Sequence, residues 1–200
     1  MLTGLIVVPS VIPRCCPCAL PQHTKLSHVI CTGNLCMKST EDFVRSLAYN
    51  THMVRGDLDS ASESPDQKTI RIGDLSVGII HGHQITPWGD IAMLANHARS
   101  MGVDVLIHGH SHTASVAKVD GCGAPSKDAP APTAAVAAST ASTLLLNPGS
   151  ITGAYSPFTT QVLPSFLLLA IQGPSVIVYV YELNTTGELS VTKTEWKKTK

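Results

Sequence analysis

The chain has 200 residues, of which 44% are hydrophobic and only 14% are charged. This length and apolar content suit one domain with a sizeable core. Fourteen basic residues balance fourteen acidic ones, which argues against a general nucleic-acid binder, because such proteins usually carry a basic excess. No apolar run reaches the roughly 20 residues that span a bilayer, so no transmembrane segment is predicted.

The N-terminal stretch is apolar, but Pro9 and Pro13 interrupt it and no basic residues precede it. We therefore predict a buried first strand rather than a signal peptide. Six cysteines in a chain of this length do not make a disulfide scaffold, so a cytosolic protein with reduced thiols is expected. Cys15 and Cys18 have metal-ligand spacing, but the sequence contains no second pair of this spacing.

Four apolar, β-branched runs in the middle of the chain end in glycine, followed by a small polar or metal-binding side chain. They are residues 28–34, 52–57, 77–83 and 103–112. Short continuous apolar runs of this kind are typical of strands buried on both faces. Helical stretches lie between them. We therefore predict an α/β sheet, in which ligands bind at the carboxyl ends of the strands.

Two of the intervening stretches have helix signals. Ser39 or Thr40 can cap a first helix that carries Phe43 and Leu47 on one face. Asp90 can cap a second helix. The residues expected to face the core from this second helix are Ile91, Leu94, Ala98 and Met101.

A low-complexity insertion, at about residues 120–143, interrupts the single predicted domain of residues 1–200. Its sequence is rich in Ala, Pro, Ser and Thr and has few large apolar residues to bury, so we predict a disordered segment between two strands. Strand-forming runs divided by Gly and Asn turns follow and predict antiparallel hairpins. These runs are residues 165–171, 175–183 and 189–196.

The polar residues at the predicted strand ends are suited to a divalent metal ion. Imidazole nitrogens and carboxylate or amide oxygens are offered by Asn34, Asp57, His81, His110 and His112. His110 and His112 are two residues apart, so in an extended segment both point to the same side. A single histidine is more often a residue that faces solvent or has its hydrogen bonds satisfied within the protein. Four strand ends that converge with polar residues indicate a ligand-binding site.

These motifs resemble those of the calcineurin-like metallophosphoesterase superfamily. The resemblance rests on HVICTGNLC, VRGDLD, VGIIHGHQITPWGD, DVLIHGHSH, LNPGSITGAYSP and PSFLLLAIQGPSVIVYVYEL, which together cover most of residues 28–183 apart from the insertion. It implies an αββα sandwich with a two-metal centre at the strand ends. Within the superfamily, the motifs are most similar to those of the small members that serve as a subunit of the retromer complex.

The resemblance also implies that catalysis has been lost. Asn34 stands where active members have the metal-bridging carboxylate, and Leu58 stands where they have a phosphate-stabilising histidine. The first strand of active members ends in a G-D-x-H element, whereas the matching residues 8–13 contain neither Asp nor His. We expect no catalytic residues and at most one loosely held Zn²⁺ or Mn²⁺, which is not required for function.

The implied function is a non-catalytic scaffold in endosome-to-Golgi and endosome-to-plasma-membrane transport, in the cytoplasm and peripherally on endosomal membranes. The metal-site face, with Ile85, Thr86 and Trp88, is expected to bind the large α-solenoid subunit of retromer. An apolar patch with Leu168 and Tyr181 is expected to bind regulatory proteins. Two alternatives stay open: Trp88 and Leu168 can be core residues, and the chain can be a metal-dependent phosphodiesterase with a degenerate centre.

Overall fold

Both described helices lie among the strands of the first half of the chain, and antiparallel strands complete it. The computed structural model describes residues 3–8, 26–59, 64–120, 142–156, 159 and 161–198. The elements in chain order are β1 (Thr3–Val8), β2 (Leu26–Cys31), α1 (Lys38–Ser46), β3 (Asn50–Met53), β4 (Gln67–Ile72), β5 (Leu75–Ile80), α2 (Ile91–Met101), β6 (Val105–Ile107), β7 (Ala114–Val119), β8 (Thr143–Pro148), β9 (Ser165–Gln172), β10 (Ser175–Leu183) and β11 (Leu189–Lys197).

The strands form two sheets. The six-stranded sheet has the order β11-β10-β9-β1-β2-β3, and the five-stranded sheet has the order β4-β5-β6-β8-β7. Strands β1, β2 and β3 are mutually parallel, as are β5, β6 and β8, whereas β9, β10 and β11 form an antiparallel meander. The four predicted runs are therefore strands, but two of them (β2 and β3) lie in one sheet and two (β5 and β6) lie in the other.

The two sheets pack face to face, and among the described residues each sheet carries one helix on its outer face. The core between the sheets includes Ile30, Ile79, Leu146, Leu167 and Val178. A second cluster joins α1 to the six-stranded sheet through Val29, Cys31, Val44 and Met53. A third joins α2 to the five-stranded sheet through Leu94, Ala98, Leu106 and Leu145. This arrangement confirms the predicted αββα sandwich.

Helix α1 begins earlier than predicted. Its N-cap is Met37, whose side chain makes no capping hydrogen bond. The carboxylate of Asp59 accepts the backbone N–H of Cys36, which fixes the chain just before the helix. Val44 and Thr40 face the sheet, whereas Phe43 is exposed. The predicted cap at Ser39 or Thr40 was therefore wrong.

Helix α2 follows the prediction more closely. Asp90 is its N-cap and accepts the backbone N–H of Met93, and Gly102 ends the helix with a left-handed φ of 65°. Leu94 and Ala98 are buried as expected. Ile91 is exposed, because the first turn of the helix directly follows the exposed residues 86–89 and lies at the margin of the contact between α2 and the five-stranded sheet.

Strand β4 was not predicted, although the sequence contains its signal. Its residues alternate between exposed and more buried positions, and the two-residue turn Gly73-Asp74 joins it to β5 as a hairpin. The predicted hairpins of β9, β10 and β11 are confirmed, as are the strands that flank the insertion. Residues 121–141 of the insertion and residues 9–13 lie outside the described residues, whereas Thr143 already belongs to β8. In the part that the structure describes, neither helix is long and apolar enough to cross a membrane.

Candidate metal centre

The predicted metal ligands lie where the carboxyl ends of strands from both sheets meet. Asn34 and Asp57 follow β2 and β3 of the six-stranded sheet, and His81 and His110 follow β5 and β6 of the five-stranded sheet. The ligand atoms of Asp57, His81 and His110 all lie within 4.8 Å of one another. Packing the sheets face to face therefore assembles the cluster from two separate pairs of strand ends.

His81 is held in one tautomer by the backbone. Its ring is fully buried, and Nδ1 lies 2.6 Å from the carbonyl oxygen of Thr32. Because a carbonyl oxygen can only accept a hydrogen bond, Nδ1 carries the proton and donates it. In the neutral ring, Nε2 then presents a bare lone pair to the cluster. This backbone contact is the outer-shell support that metal-binding histidines usually have.

The three donor atoms form a triangle of the size that a metal ion requires. Nε2 of His81 lies 3.0 Å from Oδ1 of Asp57 and 3.3 Å from Nδ1 of His110, and the third side, between Asp57 and His110, is 3.9 Å. Two ligands at about 2.05 Å from a tetrahedral zinc ion lie roughly 3.3 Å apart. The triad therefore fits one divalent ion with three protein ligands and an open fourth position.

The protonation states of the triad also suit a cation. Burial lowers the pKa of His81 and of His110, which keeps both rings neutral at physiological pH. Burial raises the pKa of Asp57, but the hydrogen bond from Asn34 and the nearby imidazoles outweigh this effect, so its pKa lies below the usual value. The cluster thus presents one carboxylate and two neutral imidazoles, which are the protonation states that metal binding needs.

Asn34 lies beside the triad and turns its amino group toward it. Its Nδ2 donates to Oδ1 of Asp57 over 3.0 Å, and its Oδ1 accepts the backbone N–H of Leu58 over 3.0 Å. The backbone N–H of Asn34 donates to Asp59. The amide oxygen, which is the atom that a metal would take, is thus engaged elsewhere, and ligation by Asn34 requires the amide to turn over.

His112 stands apart from the triad. Its Nδ1 lies 3.0 Å from the carbonyl oxygen of Ala154, so this nitrogen donates and Nε2 is the atom left for a ligand. His110 and His112 both have positive φ angles, 69° and 57°, which non-glycine residues rarely adopt. The loop that carries them is therefore held in a costly conformation, as is often found at functional sites.

His83 is a residue of the centre that the sequence analysis did not single out. Its ring centroid is 5.3 Å from that of His81 and 6.2 Å from that of His110. Its Nδ1 is buried and has no hydrogen-bond partner among the described residues. The sequence His81-Gly82-His83 was the available signal. Residues two apart in an extended segment point to the same side, but this rule does not show how close the ring of His83 comes to the triad.

The predicted partner residues in the loop after β5 differ in exposure. Trp88 is 42% exposed, donates its indole N–H to the carbonyl of His83, and packs edge-on against the ring of His110 at a centroid distance of 4.6 Å. Thr86 is exposed as well. Ile85 is buried in the cluster beneath α2, so it supports the loop from below.

Leu168 and Tyr181 lie on the outward face of the six-stranded sheet. Leu168 is half-buried and packs at the margin of the α1 cluster. Tyr181 pairs with Phe166 across the neighbouring strands, and their rings stack in parallel at 4.7 Å. Tyr179 is the cross-strand partner of Leu168 and extends the same face. The structure therefore places Leu168 and Tyr181 on one face with two further aromatic residues.

A cavity of about 510 Å³ lies beside the centre, not in it. It is bordered by α1, the end of β3 and the start of β4, and its lining includes Met37, Arg45, Met53 and Lys68. None of the three triad residues lines it. The chemistry of the metal ligands therefore belongs to the open strand-end edge and not to this cavity.

Comparison with known proteins agrees with this geometry. The Calcineurin-like phosphoesterase superfamily domain matches residues 17–173. The Vacuolar protein sorting-associated protein 29 of Schizosaccharomyces pombe is 29% identical over 178 residues, which are 87% of this chain and 83% of that protein.

Two solved structures of Vps29 from Entamoeba histolytica have the same fold. A single mutant of that protein has a TM-score of 0.79 and 33% identity, covering 98% of this chain and 100% of the other. The wild-type protein complexed with Zn²⁺ has a TM-score of 0.77 and 34% identity, covering 96% and 99%.

Proposed function

The chain belongs to the Vps29 family of the calcineurin-like phosphoesterase superfamily, and we propose that it is a non-catalytic subunit of retromer that binds its partners through surfaces on this fold. In this proposal the strand-end edge with the metal centre is the surface for the large α-solenoid subunit. The complex holds the chain peripherally on endosomal membranes, where it takes part in retrograde protein transport from endosomes.

The observation that carries the proposal is the apolar rim of the metal centre. Leu58, the residue directly after Asp57, is 67% exposed, and Trp88, which covers His110, is 42% exposed. Tyr155 is 81% exposed and follows the alanine whose carbonyl accepts from His112. Exposed aromatic and aliphatic side chains grouped along one edge of a domain are typical anchors of protein interfaces. A site for a phosphate substrate would have polar groups at these positions.

The same residues argue against hydrolysis. The two-metal mechanism requires two ions that clamp the attacking and leaving oxygens. In this chain the ligands predicted for a second ion are His112 and a shared Asn34, and Asn34 turns its amino group, not an oxygen, toward the triad. Leu58 has no polar group that could donate a proton or stabilise charge on a phosphate. We therefore propose that the chain is not an enzyme.

A single divalent ion is proposed to have a structural role. A bound Zn²⁺ or Mn²⁺ would supply a positive charge between Asp57, His81 and His110, and as a Lewis acid it could polarise an oxygen ligand. The chain's own residues fix the tautomer of His81 and hold Asp57 as the carboxylate. The ion would therefore strengthen the edge on which the partner binds, without being required for binding.

A second surface is proposed for regulatory proteins. The outward face around Leu168, Tyr179 and Tyr181 is partly exposed and lies on a different side of the sandwich from the strand-end edge. Aromatic residues with polar tips are common in surfaces that bind short apolar segments. Two separate surfaces would let the chain bind the large subunit and a regulator together.

The proposal is tested by calorimetric titration of this chain into the full-length large subunit of retromer. Leu58→Asp places a charge on the rim and is expected to weaken binding at least about tenfold, which corresponds to about 1.4 kcal/mol. Tyr49→Asp is the matched control, because Tyr49 is 99% exposed and lies just before the start of β3, away from the carboxyl ends of the strands. Equal affinities of Leu58→Asp and the control would contradict the proposal.

The intact triad favours a second candidate, a metal-dependent phosphodiesterase with a degenerate centre. Asp57, His81 and His110 retain the geometry of a metal-binding group. Turnover of bis(p-nitrophenyl) phosphate with added Mn²⁺ or Zn²⁺ separates the two functions. We expect no turnover above that of Asp57→Asn, whereas metal-dependent turnover that disappears in this variant would establish the enzyme.

A further inference from the structure

Asn147 makes an unusual set of hydrogen bonds to the loop that carries His110. It lies near the carboxyl end of β8 and is only 1% exposed. Its Nδ2 donates to Oγ of Ser111 over 2.8 Å and to the carbonyl oxygen of Gly109 over 3.4 Å. The same nitrogen is 3.4 Å from Nδ1 of His108. One side chain thus contacts the loop on both sides of His110.

The other end of the amide is also engaged. Oδ1 of Asn147 accepts the backbone N–H of Gly149 over 2.9 Å, which fixes the orientation of the carboxamide. A buried group that both donates and accepts is required here, and an amide supplies both. A carboxylate at this position could still accept from Gly149, but it would face the carbonyl of Gly109 without a proton to donate.

The loop needs such support because its conformation is costly. His110 and His112 have φ angles of 69° and 57°, and strained backbone of this kind persists only where the surroundings over-determine it. Ser111 donates its backbone N–H to the carbonyl of Gly109, and its own carbonyl accepts from Ser156. Asn147 is the residue that joins this loop to the end of β8 through its side chain.

We infer that Asn147 is a positioning residue of the metal centre, which holds residues 109–111 so that Nδ1 of His110 stays within reach of the ion. Asn147 does not touch the triad atoms and acts through the loop backbone and Ser111. The inference rests on the metal-binding part of the proposed function and not on the retromer assignment. Outer-shell partners of metal ligands commonly change metal affinity by about 10- to 100-fold.

The test compares Asn147→Asp and Ser111→Ala with wild type in the full chain. Asn147→Asp keeps the shape of the side chain and removes the donor, and Ser111→Ala removes one acceptor. Leu145→Val is the matched control, because Leu145 is a buried residue of the same strand that packs under α2. Affinity for Co²⁺ is measured from its visible absorption, and far-UV circular dichroism confirms that each variant is folded.

We expect Asn147→Asp to weaken Co²⁺ binding about 10- to 100-fold, with a smaller loss for Ser111→Ala and none for Leu145→Val. In the metal-free chain, amide hydrogen exchange of residues 109–113 is expected to accelerate in Asn147→Asp and not in the control. Wild-type affinity in Asn147→Asp would overturn the inference. If the wild-type chain binds no Co²⁺, the proposed metal site is refuted. In that case, unchanged hydrogen exchange of residues 109–113 in Asn147→Asp would also refute the claim that Asn147 holds this loop in place.

Discussion

Nε2 of His81 lies 3.0 Å from Oδ1 of Asp57, although the opposite nitrogen of the same ring already donates its proton to the carbonyl of Thr32. Two atoms with lone pairs therefore face each other at hydrogen-bond distance. Nδ2 of Asn34 lies 3.0 Å from this carboxylate oxygen and 3.5 Å from Nε2 of His81, so the amino group of Asn34 is placed to donate to both atoms in the metal-free chain. Burial lowers the pKa of His81, so its ring does not supply a second proton. A cation bound by Asp57 and His81 would take over the role of the Asn34 amino group.

The first prediction concerns the stoichiometry of metal binding. We expect one Zn²⁺ per chain, because the triad provides three ligands for one ion. Asp57→Asn should weaken binding at least about 100-fold, since it removes the one charged ligand. Competition with a chromogenic chelator measures both values. Cys36→Ser is the control for the exposed thiol of Cys36, and a loss of binding in this variant would place the ion outside the triad.

The second prediction is that Asn34→Asp has opposite effects on stability and metal affinity. The substitution removes the hydrogen bond from Nδ2 to Asp57 and places two carboxylates side by side. The metal-free chain should lose about 1–3 kcal/mol of unfolding free energy. The added charge should raise Zn²⁺ affinity at least about tenfold. Urea denaturation measures the stability, and chelator competition measures the Zn²⁺ affinity. The prediction is refuted if stability and affinity both rise or both fall.

The third prediction concerns pH and His108, a buried residue next to the metal loop. Burial lowers the pKa of His108 to about 4, whereas an unfolded histidine titrates near 6.5. The native state therefore binds fewer protons than the unfolded state between these values, so stability is full above pH 6.5 and falls as the pH drops to 4. This group alone should account for about 3 kcal/mol.

Urea denaturation of the metal-free chain at pH 7.0 and pH 4.5 measures this loss. In His108→Gln the unfolding free energy should fall much less between pH 7.0 and pH 4.5 than in wild type, because the group that titrates has been removed. The difference should be most of the contribution of about 3 kcal/mol. Leu145→Val removes a buried methylene and titrates nothing, so it should lower stability equally at both pH values. The prediction fails if His108→Gln keeps the wild-type pH dependence.

The fourth prediction separates the two proposed partner surfaces. Leu168→Asp introduces a charge on the outward face of the six-stranded sheet and should weaken binding of the short apolar peptides proposed for this face at least about tenfold. It should leave the affinity for the large subunit within about twofold of wild type. Leu58→Asp should give the reverse pattern. Fluorescence anisotropy with labelled peptide and calorimetry with the large subunit measure the two affinities. If either variant loses affinity for both partners, the two surfaces are not separate and the prediction is contradicted.

Much of the fold and most of the candidate metal site could be predicted from the sequence, because neighbouring residues along the chain carry the pattern that indicates them. Each of the runs that contain Asn34, Asp57 and His81 combines a strand with a glycine turn and a polar residue. The assignment of these strands to two sheets is a long-range property, and it entered only through the resemblance. Strand β4 was missed because its polar residues hid the alternation, although the Gly73 turn marked it.

Side-chain direction could not be predicted in the same way. Phe43 and Val44 are neighbours on α1, and only the packing of the helix on the sheet decides that Val44 is buried and Phe43 exposed. The tautomer of His81 depends on the carbonyl of Thr32, which is 49 residues away in the sequence. The orientation of the Asn34 amide depends likewise on Leu58. Such features follow from tertiary contacts and have no local sequence signal.

In the proposed function, the chain uses the strand-end edge with the metal centre as a partner surface and does not need the ion for this use. Calorimetric titration of the full chain against the large subunit of retromer, once with EDTA and once with saturating Zn²⁺, tests it most directly. We predict micromolar or tighter binding in both conditions, with dissociation constants that agree within about threefold. Binding that is absent from the folded chain, or that occurs only with Zn²⁺, would contradict the account.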